Sequence, residues 1–294
     1  KPQLQNIEVS GIRLNLANAR SGSGELPAIA AVETGLDRLL DFSDMLIEGS
    51  SVNGSAIDIK IGDMTVTGHG SDIFVKNAVV IASPGQRAIE AEIEIDGRTS
   101  QLSGMVRRSI GGALIARFRL DDIALPFARV RTLFSDNPED HLPGATHEPV
   151  RANVVLTARR TRGDAPDQLT VSVEPTDFAF KLEDGDLVPV TGRFNLAWTP
   201  ETKVFSLRES RIRYGRSSAV LTGGVRDAPG ADGSAVERAY QFELIANNGV
   251  SNPIDSPERA VQFAARAIGT WTPRDGVADI SHIELESEAG SMEG

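Results

Sequence analysis

The stretch from residue 188 to residue 225 most constrains the fold, because apolar and polar residues alternate along it. Phe194, Leu196 and Trp198 share one parity, and the alternation resumes after a turn at residues 199–202. Successive side chains of a strand point to opposite faces, so a period of two predicts a sheet with one apolar and one polar face. Antiparallel strands joined by short turns are the expected arrangement.

The same alternation predicts strands over most of the chain. We expect them at residues 7–16, through most of 47–106, and at 113–120, 150–158, 169–173, 178–182, 240–246 and 278–286. Asp96-Gly97 predicts a hairpin turn between two of these strands.

Three segments predict short helices. Residues 34–42 carry leucines at helical spacing, and residues 125–134 place a proline in the first turn. Residues 256–268 combine Ser256 as an N-cap with Pro257 at the first helical position. Three short helices cannot shield a sheet of this size.

The apolar face therefore needs another cover. The sheet must close into a barrel, pair with a second sheet, or curl into an open trough. A closed sandwich or barrel is the alternative to the trough. A trough would leave an apolar groove, which soluble monomers avoid unless the groove binds something. We expect one segment over residues 1–294, with a sub-boundary possible in the proline-rich loop at 135–149.

Composition narrows the function. The chain has 294 residues, 40% of them hydrophobic, and a net charge of −11. The negative charge argues against nucleic acid as a partner, since that binding depends on Lys and Arg. Without cysteine there is neither a disulfide framework nor a thiolate metal site. No apolar run approaches the roughly 20 residues that span a bilayer, and no signal peptide is visible, so we expect a fragment whose targeting segment lies upstream.

A short pattern recurs, namely an aliphatic residue followed by Ser or Thr and then Gly. Glycine inside a strand often marks a bulge or bend, which a curving sheet needs. Ordinary turn glycines would give the same pattern, and the sequence leaves both interpretations open. The pattern occurs at residues 9–11, 66–68, 102–104, 190–192 and 221–223.

The segment TGRFNLAWTPETKVFSLRESRIRYGRSSAVLTGGV, residues 191–225, resembles the AsmA-like superfamily, and most of all its long YhdP-type members in proteobacteria. The shared features are G-x-hydrophobic-x-hydrophobic-x-Trp, a turn, an alternating strand and a closing Leu-Thr-Gly. The hairpin LEDGDLVPV and the segment LPFARVRTLFSDNPEDHLPG are also similar, and the resemblance extends over residues 50–294.

The resemblance implies a bridge-like lipid transport protein. Its fold would be a long, strongly curved antiparallel sheet that forms an elongated open groove shaped like a taco. Its partners would be phospholipids, the inner membrane through an anchor missing from this chain, and the outer membrane. It implies a periplasmic location, and it carries no catalytic residue, cofactor or metal. The groove-lining positions that it implies are Ile57, Ile59, Ile61, Ile93, Ile95, Phe178, Phe180, Leu182, Phe194, Leu196, Trp198, Ile212, Tyr214, Leu221, Phe242 and Leu244.

Physical chemistry is consistent with that role. Each buried methylene contributes about 0.8 kcal/mol, so exposing both tails of a lipid costs on the order of 20 kcal/mol. The alternation places Arg193, Arg211 and Arg213 on the outer face, away from such tails. Patterning alone favours an ordinary packed core, and the resemblance favours the groove. The alternative function is a structural or adhesive β-domain of the cell envelope that binds no ligand.

No catalytic or metal-binding motif stands out. His69 lies near Ser71 and Asp72, but there is no nucleophile elbow, and no histidine belongs to an HExxH motif. The acidic residues at 136–141 and 184–186 favour a solvated loop and a turn over a cation site. The arginines at 159, 160 and 162 could contact anionic headgroups, although a strand end open to water is favoured. We therefore expect no enzyme activity.

Overall fold

The computed structural model describes most of the chain, and the statements below concern those residues. They are residues 6–9, 12–15, 36–37, 39–44, 46–48, 51–52, 55–56, 58–68, 71–95, 97–125, 150–160, 168–181, 187–199, 202, 204–227, 239–252, 260–272, 277–288 and 290–293.

The contacts divide the chain into two compact units. The amino-terminal unit comprises Lys1–Ser23, Val32–Ala124 and Asn153–Leu169, and the carboxy-terminal unit comprises Gly24–Ala31, Leu125–Ala152 and Thr170–Gly294. The loop at 135–149 lies outside the described residues, and the expectation that residues 1–294 act as one segment stays a prediction.

The amino-terminal unit is built on an antiparallel meander from β5 to β9, each strand pairing with the next. β10 pairs with β9, and β3 pairs with β4 in a separate hairpin. β1 and β2 run parallel to β5, which departs from the expected antiparallel pairing. The bounds are β1 (Asn6–Val9), β2 (Ile12–Asn15), β3 (Ser51–Val52), β4 (Ser55–Ala56), β5 (Asp58–Gly68), β6 (Ser71–Ser83), β7 (Gln86–Ile95), β8 (Arg98–Arg108), β9 (Leu114–Leu125) and β10 (Val150–Arg160).

The carboxy-terminal unit is a second antiparallel meander, in which each strand from β12 to β19 pairs with the next. β11 pairs with β13. The bounds are β11 (Gln168–Asp177), β12 (Ala179–Lys181), β13 (Leu187–Thr199), β14 (Val204–Tyr214), β15 (Ser217–Asp227), β16 (Tyr240–Ser251), β17 (Val261–Thr272), β18 (Val277–Ser287) and β19 (Gly290–Glu293).

The predicted fold class is confirmed. In the described part of the chain the fold is mainly β, the meanders are antiparallel, the sheet does not close into a barrel, and helical residues are few. The Asp96-Gly97 turn also forms as predicted, because β7 ends at Ile95, β8 begins at Arg98, and Gly97 has a φ of 76°.

One predicted helix is present, and another is wrong. Helix α1, whose described residues are 36–37, 39–44 and 46–48, matches the prediction at 34–42 and runs further. The predicted helix at 256–268 is wrong, because Val261–Thr272 forms strand β17. Its alanines suit either structure, and hydrogen bonding to β16 and β18 on both sides decides the outcome. The third predicted helix, 125–134, lies outside the described residues except for Leu125, which ends β9.

Register shifts interrupt the pairing once between each two neighbouring strands from β13 to β18. Leu207 lies opposite Leu196, whereas Ile212 lies opposite Gly192. The apolar residues of β14 therefore change from odd to even numbers, yet they stay on the face of Leu196. A bulge inserts one residue into one strand of a pair, which compensates the change of parity.

Three glycines of the recurring pattern lie inside strands. Gly192 and Gly223 have φ angles of 150° and 157°. A Cβ at Gly192 would lie 2.1 Å from the carbonyl oxygen of Arg211, and one at Gly223 equally close to that of Glu243. Gly104 lies under the ring of Phe118. These glycines permit close approach of neighbouring strands and are not turn glycines.

Candidate functional site

One face of the carboxy-terminal unit is apolar on every strand from β13 to β18. Its side chains form rows of directly paired residues that cross the strands. We call these rows the apolar face: Trp198, Phe205, Val225, Phe242, Gly269 and Ile280; Leu196, Leu207, Gly223, Leu244, Ala267 and Ile283; and Ser210, Leu221, Ala246, Ala265, Leu285 and Met292.

Much of the apolar face is only partly buried. Leu244 is 40% exposed although it pairs with Gly223 on one side and Ala267 on the other, and Ile280, which pairs with Gly269, is 55% exposed. Leu196, Leu207 and Leu221, in between, are half-buried. In a sandwich the inner residues of one sheet pack against a second sheet and lose nearly all their exposure. The apolar face therefore remains accessible to a ligand.

The three rows carry no charged side chain. Their one polar member is Ser210, which is buried and lies at a bulge. Its hydroxyl donates to the carbonyl oxygen of Arg208 at 2.6 Å and accepts from the backbone N–H of Asn195 at 2.8 Å. The hydroxyl is thus occupied by local backbone groups, and a ligand on this face meets hydrocarbon.

Charged side chains of the same strands lie on the opposite face. Arg266 contacts Glu243 at 2.7 Å and Glu284 at 3.6 Å. Hydrogen bonding to Glu243 raises the pKa of Arg266. His282 lies 2.7 Å from Glu284, and this hydrogen bond, with a smaller contribution from Arg266, lowers the pKa of that carboxyl.

Aromatic side chains gather toward one end of the strands. The rings of Trp198 and Phe205 lie 6.2 Å apart, and those of Tyr240 and Trp271 lie 5.8 Å apart. Trp198 is only 1% exposed, and its indole N–H has no hydrogen-bond acceptor within the part of the chain that the structure describes. An unpaired buried donor costs about 1–3 kcal/mol, so the ring is retained there at the expense of that hydrogen bond.

Two phenylalanines lie over glycines of the facing strand. A Cβ at Gly249 would be 2.5 Å from Cζ of Phe263, and one at Gly269 would be 2.7 Å from Cζ of Phe242. Both pairs are direct cross-strand partners. The two rings therefore lie along the sheet and project less from its apolar side.

The corresponding face of the amino-terminal unit is closed. Val75, Ala78, Ala91 and Ile93 form a buried cluster, and Leu102 and Leu120 pack against it. Leu40 of α1 has no exposed surface, and Leu36, Leu46 and Ile47 are buried too.

Arginines fix α1 to this unit. Arg87, which has the parity of Ile89 and Ile93, donates to the carbonyl oxygens of Ile47 at 3.0 Å and Ser83 at 2.6 Å. Burial lowers the pKa of Arg87. This hydrogen bond joins β7 to the backbone of α1 at Ile47.

Two further arginines bind carboxylates on the exposed side of α1. Arg108 pairs with Asp44 and, at 3.1 Å, with Glu48, and the hydrogen bond that it donates to Asp44 raises the pKa of Arg108. Arg160 pairs with Asp41 at 2.7 Å and with Asp37 at 3.4 Å. The sequence favoured a strand end open to water at Arg160, and this was wrong, since the guanidinium is bound to the helix.

The predicted lining residues fall into three groups. Those on the apolar side of the carboxy-terminal unit are Phe194, Leu196, Trp198, Ile212, Tyr214, Leu221, Phe242 and Leu244. Ile93 lies in the buried cluster of the amino-terminal unit, while Ile59 and Ile61 face Val80 and Ala78 in register and Ile95 faces Ile73. Phe178 is half-buried and its carbonyl accepts from Val190, Phe180 pairs with Val188, and Ile57 and Leu182 lie outside the described residues.

Several residues of the apolar side were not predicted. Phe205 and Leu207 were recognised as a strand, but their odd numbers separated them from Ile212 and Tyr214. Phe263 was missed because its segment was assigned to a helix, and Trp271 lies between the predicted helix at 256–268 and the predicted strand at 278–286. The alternation of Phe263, Ala265, Ala267 and Trp271 was the available signal.

The structure does not test the catalytic and cation sites that were rejected from the sequence. The described residues contain no group of three or more metal-ligating side chains. His69 and the acidic residues at 136–141 and 184–186 lie outside them. Across the same part of the chain, no helix has the length and hydropathy to cross a membrane.

Comparison with protein-family models, with curated proteins and with solved structures finds no match for this chain. The likeness to the AsmA-like proteins therefore rests on the sequence motifs. The class that the structure itself defines is an antiparallel β protein with an incompletely covered apolar face.

Proposed function

We propose that the carboxy-terminal unit binds the acyl chains of phospholipids on its apolar face, as one segment of a protein that transports lipids between the inner and outer membranes. The single observation that carries the proposal is the charge-free, half-exposed surface across β13 to β18. The membranes, the periplasmic location and the inner-membrane anchor are supported only by the resemblance.

Acyl chains fit this surface because they require burial and nothing else. The three rows carry no charge, the hydroxyl of Ser210 is already hydrogen-bonded and the indole N–H of Trp198 is buried, and each methylene that the rows shield gains about 0.8 kcal/mol. A catalytic role would need polar groups that converge on a substrate, so the proposal includes no chemical step.

Fluorescence quenching by brominated lipids tests the proposal. Both tryptophans of the chain, Trp198 and Trp271, belong to the apolar side of this unit. Phosphatidylcholine brominated along its acyl chains should quench them, and the same lipid without bromine should not. The single variants Trp198→Phe and Trp271→Phe then report which end of the strands the chains approach.

A matched pair of variants locates the site. Leu244→Glu places a charge at a 40%-exposed position of the apolar face, and Gln262→Glu places the same charge at an exposed position of the polar face. We expect Leu244→Glu to lower the apparent affinity for the brominated lipid, read from the quenching titration, by about tenfold or more, since a charge among acyl chains is costly. Gln262→Glu should bind as the unmodified protein does.

Two results would contradict the proposal. The first is an absence of quenching in protein that native mass spectrometry finds folded and free of lipid. The other is equal quenching in the two variants. Either result would favour a structural or adhesive β-domain of the cell envelope.

A further inference from the structure

The polar face of the carboxy-terminal unit contains arginines that oppose one another. Arg193 on β13 lies directly opposite Arg211 on β14, and Arg213 lies opposite Thr191 two residues further. Like charges directly opposite in an antiparallel pair destabilise the sheet. Glu174 compensates Arg193 at 3.1 Å, but no described carboxylate pairs with Arg211 or Arg213. The pairing of Arg193 with Arg211 is therefore unfavourable for the sheet, and in a chain of net charge −11 no described carboxylate offsets Arg211.

Two of these arginines, Arg211 and Arg213, line a shallow cavity of about 210 Å³, together with polar residues and with Gly192, Ile212, Ala219 and Val220. The cavity lies where the register shifts between Ser218 and Val220, opposite Asn248, whose φ is 50°. The bulge therefore opens space beside Arg211 and Arg213. The polar side chains of its lining come from Thr191, Arg211, Arg213, Ser218 and Asn248.

These side chains supply donors suited to an oxyanion. Arg211 and Arg213 provide two guanidinium groups, which match the oxygens of a phosphate with paired N–H donors. Thr191 and Ser218 add hydroxyl donors, and Asn248 adds an amide. No carboxylate belongs to the lining. Nε of Arg213 donates to the carbonyl oxygen of Gly215 at 3.0 Å. An anion with several acceptor oxygens would accept from the remaining donors and offset the charge of Arg211, which lies opposite Arg193.

We propose that this cavity binds a phosphate group, either free or in the headgroup of an anionic phospholipid at a membrane surface. Arg211 and Arg213 bind its oxygens, and Thr191, Ser218 and Asn248 complete the site. The cavity lies on the face opposite the apolar face, so a lipid whose chains lie on the apolar face does not place its phosphate here. The site is therefore independent of acyl-chain binding.

The test uses the full chain and a double variant, Arg211→Gln with Arg213→Gln. The control is Arg226→Gln, which removes one arginine from the same face, where it binds Gln241. Calorimetric titration with inorganic phosphate, and sedimentation with vesicles of phosphatidylcholine with and without phosphatidylglycerol, measure the two sources. We expect the double variant to lose roughly tenfold or more in affinity, and the control to bind normally.

The outcomes separate the sources and the two proposals. Binding of phosphate alone identifies a site for the free ion, and binding of phosphatidylglycerol vesicles identifies a headgroup site. The double variant should melt no lower than the unmodified protein in phosphate-free buffer, because a like-charge contact is removed. Failure of the unmodified protein to bind either probe, or equal binding by the double variant, would overturn the inference. Quenching by brominated chains should be unchanged in the double variant, whatever happens at the cavity.

Discussion

The two units use the same alternation of apolar and polar residues, but they treat their apolar faces differently. In the amino-terminal unit Val75, Ala91 and Ile93 are buried, and α1 adds a further buried layer. In the carboxy-terminal unit Leu244 and Ile280 keep large exposed fractions, although their partners in register are as apolar. Alternation therefore specifies which residues share a face, and a separate element decides whether that face is covered.

In the amino-terminal unit, charged side chains bind α1, the helix that adds the buried layer. Arg87 and Arg108 bind α1 from strands of the meander, and Arg160 binds it from β10. On the carboxy-terminal unit, arginines such as Arg193 and Arg266 instead bind carboxylates of neighbouring strands. The direction of the arginine side chains thus distinguishes a face that receives a helix from one that does not.

The largest expected effect comes from comparing one leucine in each unit. Leu40→Ala, at a position with no exposed surface, should reduce the free energy of unfolding by about 2–5 kcal/mol. Leu244→Ala, at a 40%-exposed position, should cost about 1 kcal/mol or less. Hydrogen exchange read by mass spectrometry resolves the units. Equal costs would mean that the apolar face is covered after all.

A glycine pair tests how the carboxy-terminal sheet holds together. Gly223→Ala would place a Cβ against the carbonyl oxygen of Glu243 at a positive φ, and it should cost about 1–3 kcal/mol. Gly224→Ala is the matched control, because its Cβ would meet the side chain of Val204 at 3.2 Å and the carbonyl oxygen of Phe205 only at 3.7 Å. Urea denaturation followed by tryptophan fluorescence measures both. A loss of stability as large in Gly224→Ala would refute the strand-approach explanation.

Release of α1 should make the two faces alike. Arg87→Met removes the hydrogen bonds to the carbonyl oxygens of Ile47 and Ser83, and it should cost about 2 kcal/mol because the buried hydrogen bond between β7 and α1 is lost. A dye that fluoresces on apolar surfaces should then bind more strongly. Arg107→Met, at the exposed neighbouring strand position, is the control. Unchanged dye binding in Arg87→Met would show that this arginine does not hold the helix in place.

The smallest effect concerns pH. The hydrogen bond with His282, and more weakly Arg266, lowers the pKa of Glu284 in the folded protein. A carboxyl with a depressed folded pKa stabilises above its unfolded pKa of about 4.3, and this stabilisation is lost as the pH falls through the folded pKa. Glu284→Gln should flatten the stability profile slightly in that acidic range. NMR titration of the Glu284 carboxyl measures the pKa directly, and a value at or above the ordinary one would contradict the expectation.

Alternation was sufficient to predict most of the fold. The strands at 113–120, 150–158 and 278–286, and the hairpins between residues 188 and 225, follow from a period of two and appear as predicted. The helix predicted at 256–268 failed, because alanines and a serine-proline start describe local preference only. The two hydrogen-bonded neighbours of β17 come from distant sequence and outweigh that preference.

The candidate site was predicted less completely than the fold. Leu196, Trp198 and Leu244 were assigned correctly to one side of a sheet. Phe205 could not be grouped with Ile212, because a period of two carries no information about where a bulge occurs. The burial of Ile93 could not be predicted either, since it depends on packing against Leu102 and Leu120.

The repeated bulges have a consequence for protein engineering. Each one resets the count of residues along its strand, so a position's face depends on how many bulges precede it and not on whether its number is odd or even. Removing Asn248 would abolish the bulge and leave Gly249 on the side of Ala246 and Val250 on the side of Asn247, whereas removing a residue away from a bulge would turn the following residues over. Loop grafts and truncations in this unit should therefore be designed from one bulge to the next.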